Sequence, residues 1–417
     1  MTMSFIILVN MVIKYSGPHH VGCLDLMLKS AKIVENFHPD VLSCSDLGSL
    51  LRLFYPSEPS SQSSKKATWL PEPNQDQYFE GYVRELRFGY FTKKLLSFWK
   101  SFSLPIFVNE QLVRHQELRP VFNNHSLPVI IFSHGLMGHR NCYTEFCAQL
   151  ASEGYLVVAV EHRDGSAISS FIKDDKSSRL VEIPYHESPT NDSPETTAQR
   201  YIQVEQRSKE ISKALDIVEL LNKDPTLIEN CLETGNFSIK DFQGRIDLSK
   251  PFLIGHSFGG ATVIDTLNKD NRFKCGVGLD VWFTALTDES FSNPGKQSVL
   301  LIFTEYFNWK SNLQKTYNYM AQKEKGATEL ITLKAADHYD QSDIPGIIPT
   351  FFHPFLRGFL RHRISYASAI DVQRKVISDY FKKCYNKQDG SCVNLIDDKY
   401  KLSPHFLVGS NIELSNH

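Results

Sequence analysis

Short apolar runs alternate with amphipathic stretches from about residue 127 to 361. The apolar runs have the length of strands that are buried on both faces, and the stretches between them repeat apolar residues at helical spacing. Predicted strands cover 128–133, 155–160, 251–254, 275–279, 298–303 and 329–334, and predicted helices cover 141–153, 198–223 and 260–267. This alternation predicts an α/β fold with a mostly parallel sheet and helices on both faces.

The part of the chain before this region is less regular. An apolar run at 5–13 is too short to span a bilayer, and it fits either a signal-peptide core or an edge strand. Residues 50–56 are predicted to form a strand, and the Ser- and Pro-rich stretch 57–73 an exposed loop. The length of 417 residues allows one large domain or two, and the continuous alternation favours one.

Composition narrows the possible partners. The formal net charge is −2 and the basic residues are scattered, so nucleic acid is not an expected partner. The 8 cysteines form no C-x-x-C pair and no His/Cys cluster at ligand spacing, so we expect no structural zinc site. No metal or cofactor is predicted. The compartment stays open between secreted and cytoplasmic, because the run at 5–13 lacks a preceding Lys or Arg.

A G-x-S-x-G motif at 255–259 carries the strongest chemical signal in the chain. It lies between the predicted strand 251–254 and the predicted helix 260–267, which is the strand-turn-helix context of a nucleophile elbow. Glycines suit such a turn because a β-carbon would clash with the neighbouring chain. A bare match of this kind also occurs in ordinary glycine turns. The context favours catalysis and makes Ser257 the candidate nucleophile.

A serine nucleophile needs a base and a carboxylate that orients the base. In the elbow fold these follow in the order Ser, Asp or Glu, His, at the ends of later strands. Asp280 ends the strand 275–279 and His338 follows the strand 329–334, so we predict them as acid and base. Asp280 could instead be a simple turn former. The rival acids are Asp265 and Asp337, and the rival bases include His353 and His362, which fall in a helix-like stretch.

Two backbone amides are expected to bind the oxyanion of the tetrahedral intermediate. One belongs to Phe258, the residue after the nucleophile. The other is predicted at Leu136, because the His-Gly-Leu sequence after the strand 128–133 occupies the place of the usual oxyanion loop. An ordinary strand-to-loop turn would have the same composition.

Several sequence blocks in register resemble one family. They lie at 17–23, 132–136, 160–167, 255–263 and 272–282, and together they resemble the platelet-activating factor acetylhydrolases of the serine-dependent plasma and intracellular type. The resemblance runs from about residue 17 to 385 and implies a single α/β-hydrolase domain over that span. Residues 1–16 stay unassigned, and the tail 386–417 matches weakly.

The resemblance implies a specific reaction. Matched block by block, it makes Ser257 the nucleophile, Asp280 the orienting acid and His338 the base, with Leu136 and Phe258 as oxyanion donors. The implied activity is calcium-independent hydrolysis of the sn-2 ester of phospholipids with a short or oxidised acyl chain. Platelet-activating factor would yield acetate and a lyso-phospholipid. One departure affects substrate preference: the family usually has Gln after the catalytic histidine, and this chain has Tyr339.

Two aromatic segments with interspersed cations are candidates for contact with a lipid surface. The composition of 88–100 and of 351–363 suits either an interfacial helix or a helix packed on the core. The corresponding regions of the family are thought to dock on lipoproteins or membranes, which favours peripheral adsorption here. The predicted contact residues are Phe91, Leu95, Phe98, Trp99, Phe355 and Phe359.

Two other functions fit parts of the same pattern. A general carboxylester hydrolase of this fold would act on soluble esters and would need the same three residues. A catalytically silent lipid-binding protein would need none of them, so the presence of Ser257, Asp280 and His338 speaks against it.

Overall fold

The fold was analysed in a computed structural model of the chain. The structure describes residues 15–28, 48–59, 64–122, 125–173, 179–187, 193–232, 237–292, 294–348, 364–387 and 396–412.

Thirteen strands are present in the described part of the chain, and eleven of them form one sheet. They are β1 (His20–Leu28), β2 (Ser49–Ser57), β3 (Lys66–Thr68), β4 (Ser103–Val108), β5 (Leu127–Ser133), β6 (Leu156–Val160), β7 (Ser169–Lys173), β8 (Leu180–Pro184), β9 (Ile246–His256), β10 (Cys275–Leu279), β11 (Ser298–Thr304), β12 (Thr328–Leu333) and β13 (Phe406–Val408). The order across the sheet is β13-β12-β11-β10-β9-β5-β6-β2-β1-β4-β3. Strands β7 and β8 form a separate antiparallel hairpin.

The centre of the sheet is parallel and its two sides are mixed. Strands β12, β11, β10, β9, β5 and β6 run parallel to one another. Antiparallel pairs join β13 to β12 on one side and β2 to β6 and β1 on the other. The predicted mostly parallel sheet is therefore confirmed, and β1 to β4 extend it beyond the alternating region.

Ten α-helices are described, and they cover the sheet from both sides. They are α1 (Gln75–Glu85), α2 (Tyr90–Leu96), α3 (Thr144–Ser152), α4 (Pro194–Lys223), α5 (Phe258–Lys269), α6 (Glu289–Ser292), α7 (Lys310–Gln322), α8 (Ile344–Ile347), α9 (Tyr366–Asn386) and α10 (Asp398–Lys401). No helix among the described residues has both the length and the apolar character needed to cross a membrane.

Two apolar cores lie on opposite faces of the sheet. One face packs against α3 and α9, and the other against α4 and α5. Successive residues of β5 point into different cores: Ile130 belongs to the first core and Ile131 to the second. Side chains alternate across a strand, so a central strand covered on both faces must be apolar throughout.

The sequence also specifies where long helices begin. The Ser193 side chain accepts a hydrogen bond from the Thr196 amide, and Pro194 takes the first helical position of α4. In the same way, Ser365 caps α9 through the Ser368 amide. These caps satisfy amides that have no partner within the helix.

Candidate active site

The predicted nucleophile lies in a strained turn between β9 and α5. Ser257 has φ of 58° and ψ of −116°, a conformation that is rare for any residue with a β-carbon. Its side chain is nearly buried and lines a large cavity. Strain of this kind persists only where the surrounding structure enforces it, and it is typical of nucleophile elbows.

The glycines on both sides of Ser257 allow the turn to form. A β-carbon on Gly255 would lie 2.1 Å from the carbonyl oxygen of Gly259, and one on Gly259 would lie 2.1 Å from that of Ser133. Both distances are far shorter than a van der Waals contact. The motif therefore requires glycine at these two positions because backbone occupies the space of a side chain.

His338 and Asp280 come together at the carboxyl ends of their strands. His338 Nδ1 lies 3.0 Å from Asp280 Oδ2. A carboxylate can only accept, so in the neutral imidazole this bond places the proton on Nδ1 and leaves Nε2 free to accept one. The His338 ring also stacks on Phe307, with ring centroids 4.1 Å apart and planes 8° apart. Two contacts thus fix the orientation of the predicted base.

Asp280 is held by a residue that sequence reasoning missed. Thr304, at the end of β11, donates from its backbone N to Asp280 Oδ1 and from Oγ1 to Asp280 Oδ2, both at 2.6 Å. These bonds fix the carboxylate plane, which is fully buried. A threonine at a strand end gives no local signal for this contact, since the two residues are separated by 24 positions.

The Leu136 amide lies in the loop after β5, between two amides that donate hydrogen bonds. Gly135 N–H donates to Tyr143 Oη at 3.0 Å, and Met137 N–H donates to the Ser166 carbonyl at 2.8 Å. The intervening amide of Leu136 donates to no acceptor in the described part of the chain. It is the amide predicted to bind an oxyanion.

The direction of the Leu136 amide follows from its peptide plane. The Gly135 carbonyl accepts a hydrogen bond from Gly138 N at 3.1 Å, so it points into the loop. In a trans peptide the N–H points opposite to the carbonyl, which directs the Leu136 N–H away from the loop interior. The second predicted donor, Phe258, is the first residue of α5, where amides have no acceptor within the helix.

His256, which precedes Ser257 in the motif, lies against the predicted base. The His256 ring lies 4.3 Å from the His338 ring, and its Nδ1 lies 2.8 Å from Tyr143 Oη. Burial holds the pKa of His256 well below its usual range, with a further lowering from His338. His256 is therefore neutral, and its Nδ1 shares a hydrogen bond with the Tyr143 hydroxyl. In the sequence, only its position next to Ser257 indicates that His256 lies near the site.

His256, Asp280 and His338 bring three potential metal-ligating atoms together among the described residues. Ligand atoms of His256, Asp280 and His338 lie within 4.8 Å of one another. Hydrogen bonds already engage Nδ1 of both histidines, with Tyr143 and with Asp280. This pattern of donors and acceptors suits proton transfer between side chains.

A cavity of about 720 Å³ opens beside Ser257 and His338. Its walls are mainly apolar and aromatic. Side chains of α1, α2 and the segment after them form one wall, and loops beyond β10, β11 and β12 form another. Bulky lining residues include Tyr82, Phe88, Trp99, Trp282, Phe307, Trp309 and Tyr339. The cavity has room for a ligand much larger than an acetyl ester and suits one with apolar groups.

Comparison with known proteins identifies the family. The model of the family "Platelet-activating factor acetylhydrolase, isoform II" matches residues 9–399. The chain belongs to this family. The family predicted from the sequence is thus confirmed, and with it the assignment to the ester hydrolases.

Curated relatives agree over nearly the whole chain. The platelet-activating factor acetylhydrolase of Cavia porcellus is 31% identical over 412 residues, which cover 96% of this chain and 85% of the relative. The platelet-activating factor acetylhydrolase of Gallus gallus is 28% identical over 416 residues, which cover 96% of this chain and 89% of the relative. Among solved structures, a ferulic acid esterase from Streptomyces cinnamoneus superposes with a TM-score of 0.64 at 18% identity, covering 95% of this chain and 98% of the esterase. The predicted α/β-hydrolase fold is confirmed.

The residue that departs from the family pattern lines the cavity. Tyr339 packs edge-on against His338, with ring centroids 5.8 Å apart, and its backbone N donates to Asp337 Oδ1 at 2.9 Å. Burial raises the pKa of Tyr339 to about 12, so its hydroxyl stays neutral. The side chain is therefore placed to contact whatever ligand reaches His338.

The predicted lipid-contact residues fall into different environments. Phe91 and Leu95 of α2 are 84% and 47% exposed. Phe98 is half-buried against the core. Trp99 is only 4% exposed and packs edge-on against Trp69 at 5.3 Å, so its prediction as a surface residue is wrong. The reason is that the helix ends at Leu96, and the short 3-10 turn Ser97–Ser101 then directs Trp99 inward. Phe355 and Phe359 lie outside the described residues.

Proposed function

We propose that the chain hydrolyses the sn-2 ester of phospholipids whose acyl group is short or oxidised, and that Ser257, His338 and Asp280 carry the reaction. Platelet-activating factor would yield acetate and its lyso form. The observation that carries the proposal is the His338–Asp280 pair beside a serine held at a strained elbow in an apolar cavity.

In the acylation step, Ser257 Oγ attacks the carbonyl carbon of the ester while its proton passes to Nε2 of His338. The carbonyl oxygen becomes an oxyanion and accepts hydrogen bonds from the amides of Leu136 and Phe258. Asp280 stabilises the imidazolium that forms. The intermediate then collapses, the bond to the glycerol oxygen breaks, and that oxygen takes the proton from His338. The lyso-phospholipid leaves and the acyl group stays on Ser257.

In the deacylation step, a water molecule takes the place of Ser257 as the nucleophile. His338 accepts a proton from the water, whose oxygen attacks the acyl carbon and forms a second oxyanion in the same site. The bond to Ser257 Oγ breaks and the serine recovers its proton from His338. The acid produced from platelet-activating factor is acetic acid, which ionises to acetate at neutral pH.

A panel of three esters tests the substrate class. We expect sn-2 acetyl phosphatidylcholine to be cleaved with a kcat/KM at least about 10-fold above that of a long-chain analogue, because extra methylenes must find room beside the aromatic walls. A small soluble ester such as p-nitrophenyl acetate should be a weaker substrate, since it forgoes the apolar contacts. Preference for the soluble ester would favour a general carboxylester hydrolase instead.

Adsorption to lipid through α2 is part of the proposal. Phe91 is exposed, and Leu95 is partly exposed while it also lines the cavity, so the exposed apolar face of α2 adjoins the entrance. Lys93 and Lys94 lie on the same short helix, where their charges can meet phosphate groups. A substrate drawn from a micelle or membrane would then enter the cavity directly.

The double variant Phe91→Ser/Leu95→Ser is expected to bind anionic liposomes about 10-fold more weakly or worse, because each lost side chain removes apolar area from the lipid contact. Phe91→Ser alone should change turnover of p-nitrophenyl acetate by less than about twofold, since Phe91 does not line the cavity. Cosedimentation with liposomes measures the binding. Leu402→Ser is the matched control, since Leu402 is 85% exposed beside the β13 edge of the sheet. Equal liposome binding by the double variant and this control would contradict the proposed surface.

A further inference from the structure

A buried arginine of α4 contacts the loop that carries one predicted oxyanion donor and the side chain of the other donor. Arg207 is fully buried. Its Nη1 donates to the carbonyl of His134 at 2.7 Å, at the start of the loop that carries Leu136. Its guanidinium carbon also lies 4.5 Å from the ring centroid of Phe258. One planar group therefore touches the loop of the first donor and the side chain of the second.

The same guanidinium reaches the far end of the loop through Ser166. Nε and Nη2 of Arg207 donate to Ser166 Oγ at 2.9 and 2.6 Å. The Ser166 carbonyl accepts from Met137 N at 2.8 Å. Leu136 lies between these two anchored points, at His134 and at Met137. Its unengaged amide thus has little freedom to turn.

The charge of Arg207 is compensated locally. Asp164 Oδ2 accepts from Arg207 Nε at 3.0 Å, and Asp164 Oδ1 accepts from Ser166 N at 3.0 Å. Burial lowers the pKa of Arg207, and the Asp164 carboxylate opposes that change. The ion pair would be satisfied by any cation near Asp164. The contacts to His134, Ser166 and Phe258 need the fork and the flat face of a guanidinium.

We propose that Arg207 is a positioning residue that sets the separation and direction of the two oxyanion donors. It holds the Leu136 loop directly at His134 and, through Ser166, at Met137, and it holds Phe258 through a cation–π contact with the ring. It touches neither the substrate nor the reacting atoms. The proposal rests on the proposed function, because it assumes that these amides bind an oxyanion.

Arg207→Lys tests the proposal, because lysine keeps the charge beside Asp164 but cannot make the remaining contacts together. We expect kcat for p-nitrophenyl acetate to fall about 10²-fold, within the range for loss of an oxyanion donor, with KM changed by less than about twofold. The Ki of a trifluoromethyl ketone, whose hemiketal places an oxyanion in the site, should rise by about the same factor as kcat falls. Rates are expressed per active site, titrated to completion with a phosphonate.

Arg374→Lys is the matched control. Arg374 lies on α9, away from the cavity. It is also buried, and it pairs with Glu153 and Asp371. It should keep kcat and the Ki of the ketone within about twofold, whatever it does to the melting temperature. Ser166→Ala provides a second arm if Arg207→Lys does not fold, because it removes the hydroxyl that accepts from Arg207 Nε and Nη2 and leaves the Arg207–Asp164 ion pair in place. A smaller parallel change in kcat and Ki is expected there.

The proposal is overturned if Arg207→Lys, or Ser166→Ala in its place, keeps wild-type kcat per titrated site and wild-type affinity for the ketone. It is equally overturned if kcat falls while the ketone binds as before, since the oxyanion site would then be intact. Failure of the proposed function would appear elsewhere, as a wild-type chain that cleaves neither the acetyl phospholipid nor the soluble ester.

Discussion

Ser257→Ala is expected to lower kcat for ester hydrolysis by about 10⁵-fold or more, because removal of the nucleophile leaves only binding and the oxyanion donors. Ser257 is the residue at the strained elbow, and its side chain lines the cavity that His338 also lines. Release of acetate from an sn-2 acetyl phospholipid measures the effect.

The variant should retain the fold and the lipid contact. Alanine can occupy the same turn, and the exposed face of α2 is untouched, so cosedimentation with liposomes should match that of the wild type. Unchanged thermal unfolding would establish that the loss is chemical. Retained acetate release by a folded Ser257→Ala chain would rule out Ser257 as the nucleophile.

Asp280→Asn is expected to lower kcat about 10⁴-fold while leaving KM nearly unchanged. Thr304 N donates to Oδ1 of Asp280, so an asparagine would keep its carbonyl oxygen at that position. Its amide nitrogen would then replace Oδ2 and donate to His338 Nδ1. That bond forces the imidazole proton onto Nε2. A protonated Nε2 can no longer accept the proton of Ser257. The pH dependence of kcat, measured with a soluble ester, reports the change at the base.

Asp265→Asn is the matched control for this variant. Asp265 is the rival acid from the sequence; it is nearly buried on α5 and pairs with Lys269 at 2.8 Å. Because it lies away from His338 Nδ1, its replacement should change kcat by less than about twofold. Loss of activity in Asp265→Asn with activity retained in Asp280→Asn would make Asp265, and not Asp280, the acid that orients the base.

The sequence predicted the parts of the site that local pattern determines. The elbow is one contiguous motif, and its glycines are required by backbone contacts of 2.1 Å. Asp280 and His338 could be chosen because each follows a recognisable apolar strand, and parallel strands bring their carboxyl ends to one edge of the sheet. The central strands were found for the same reason, since strands covered on both faces are apolar throughout.

The parts that were missed depend on contacts between distant segments. Thr304, Tyr143 and Arg207 each support the site through hydrogen bonds to residues at least 8 positions away, and their local sequence shows nothing unusual. Trp99 was placed wrongly for a related reason. Composition identifies an amphipathic segment but cannot tell which side meets protein, and the turn after Leu96 decides it.

Labelling with a fluorophosphonate tests the central claim most directly, since such reagents react with a serine only where a base and an oxyanion site activate it. The labelled chain would be digested and the modified residue located by mass spectrometry. We expect one equivalent of label on Ser257, no labelling of Ser257→Ala, and strongly slowed labelling of Asp280→Asn. Stoichiometric labelling of another serine, or of the Ser257→Ala chain, would contradict the proposed active site.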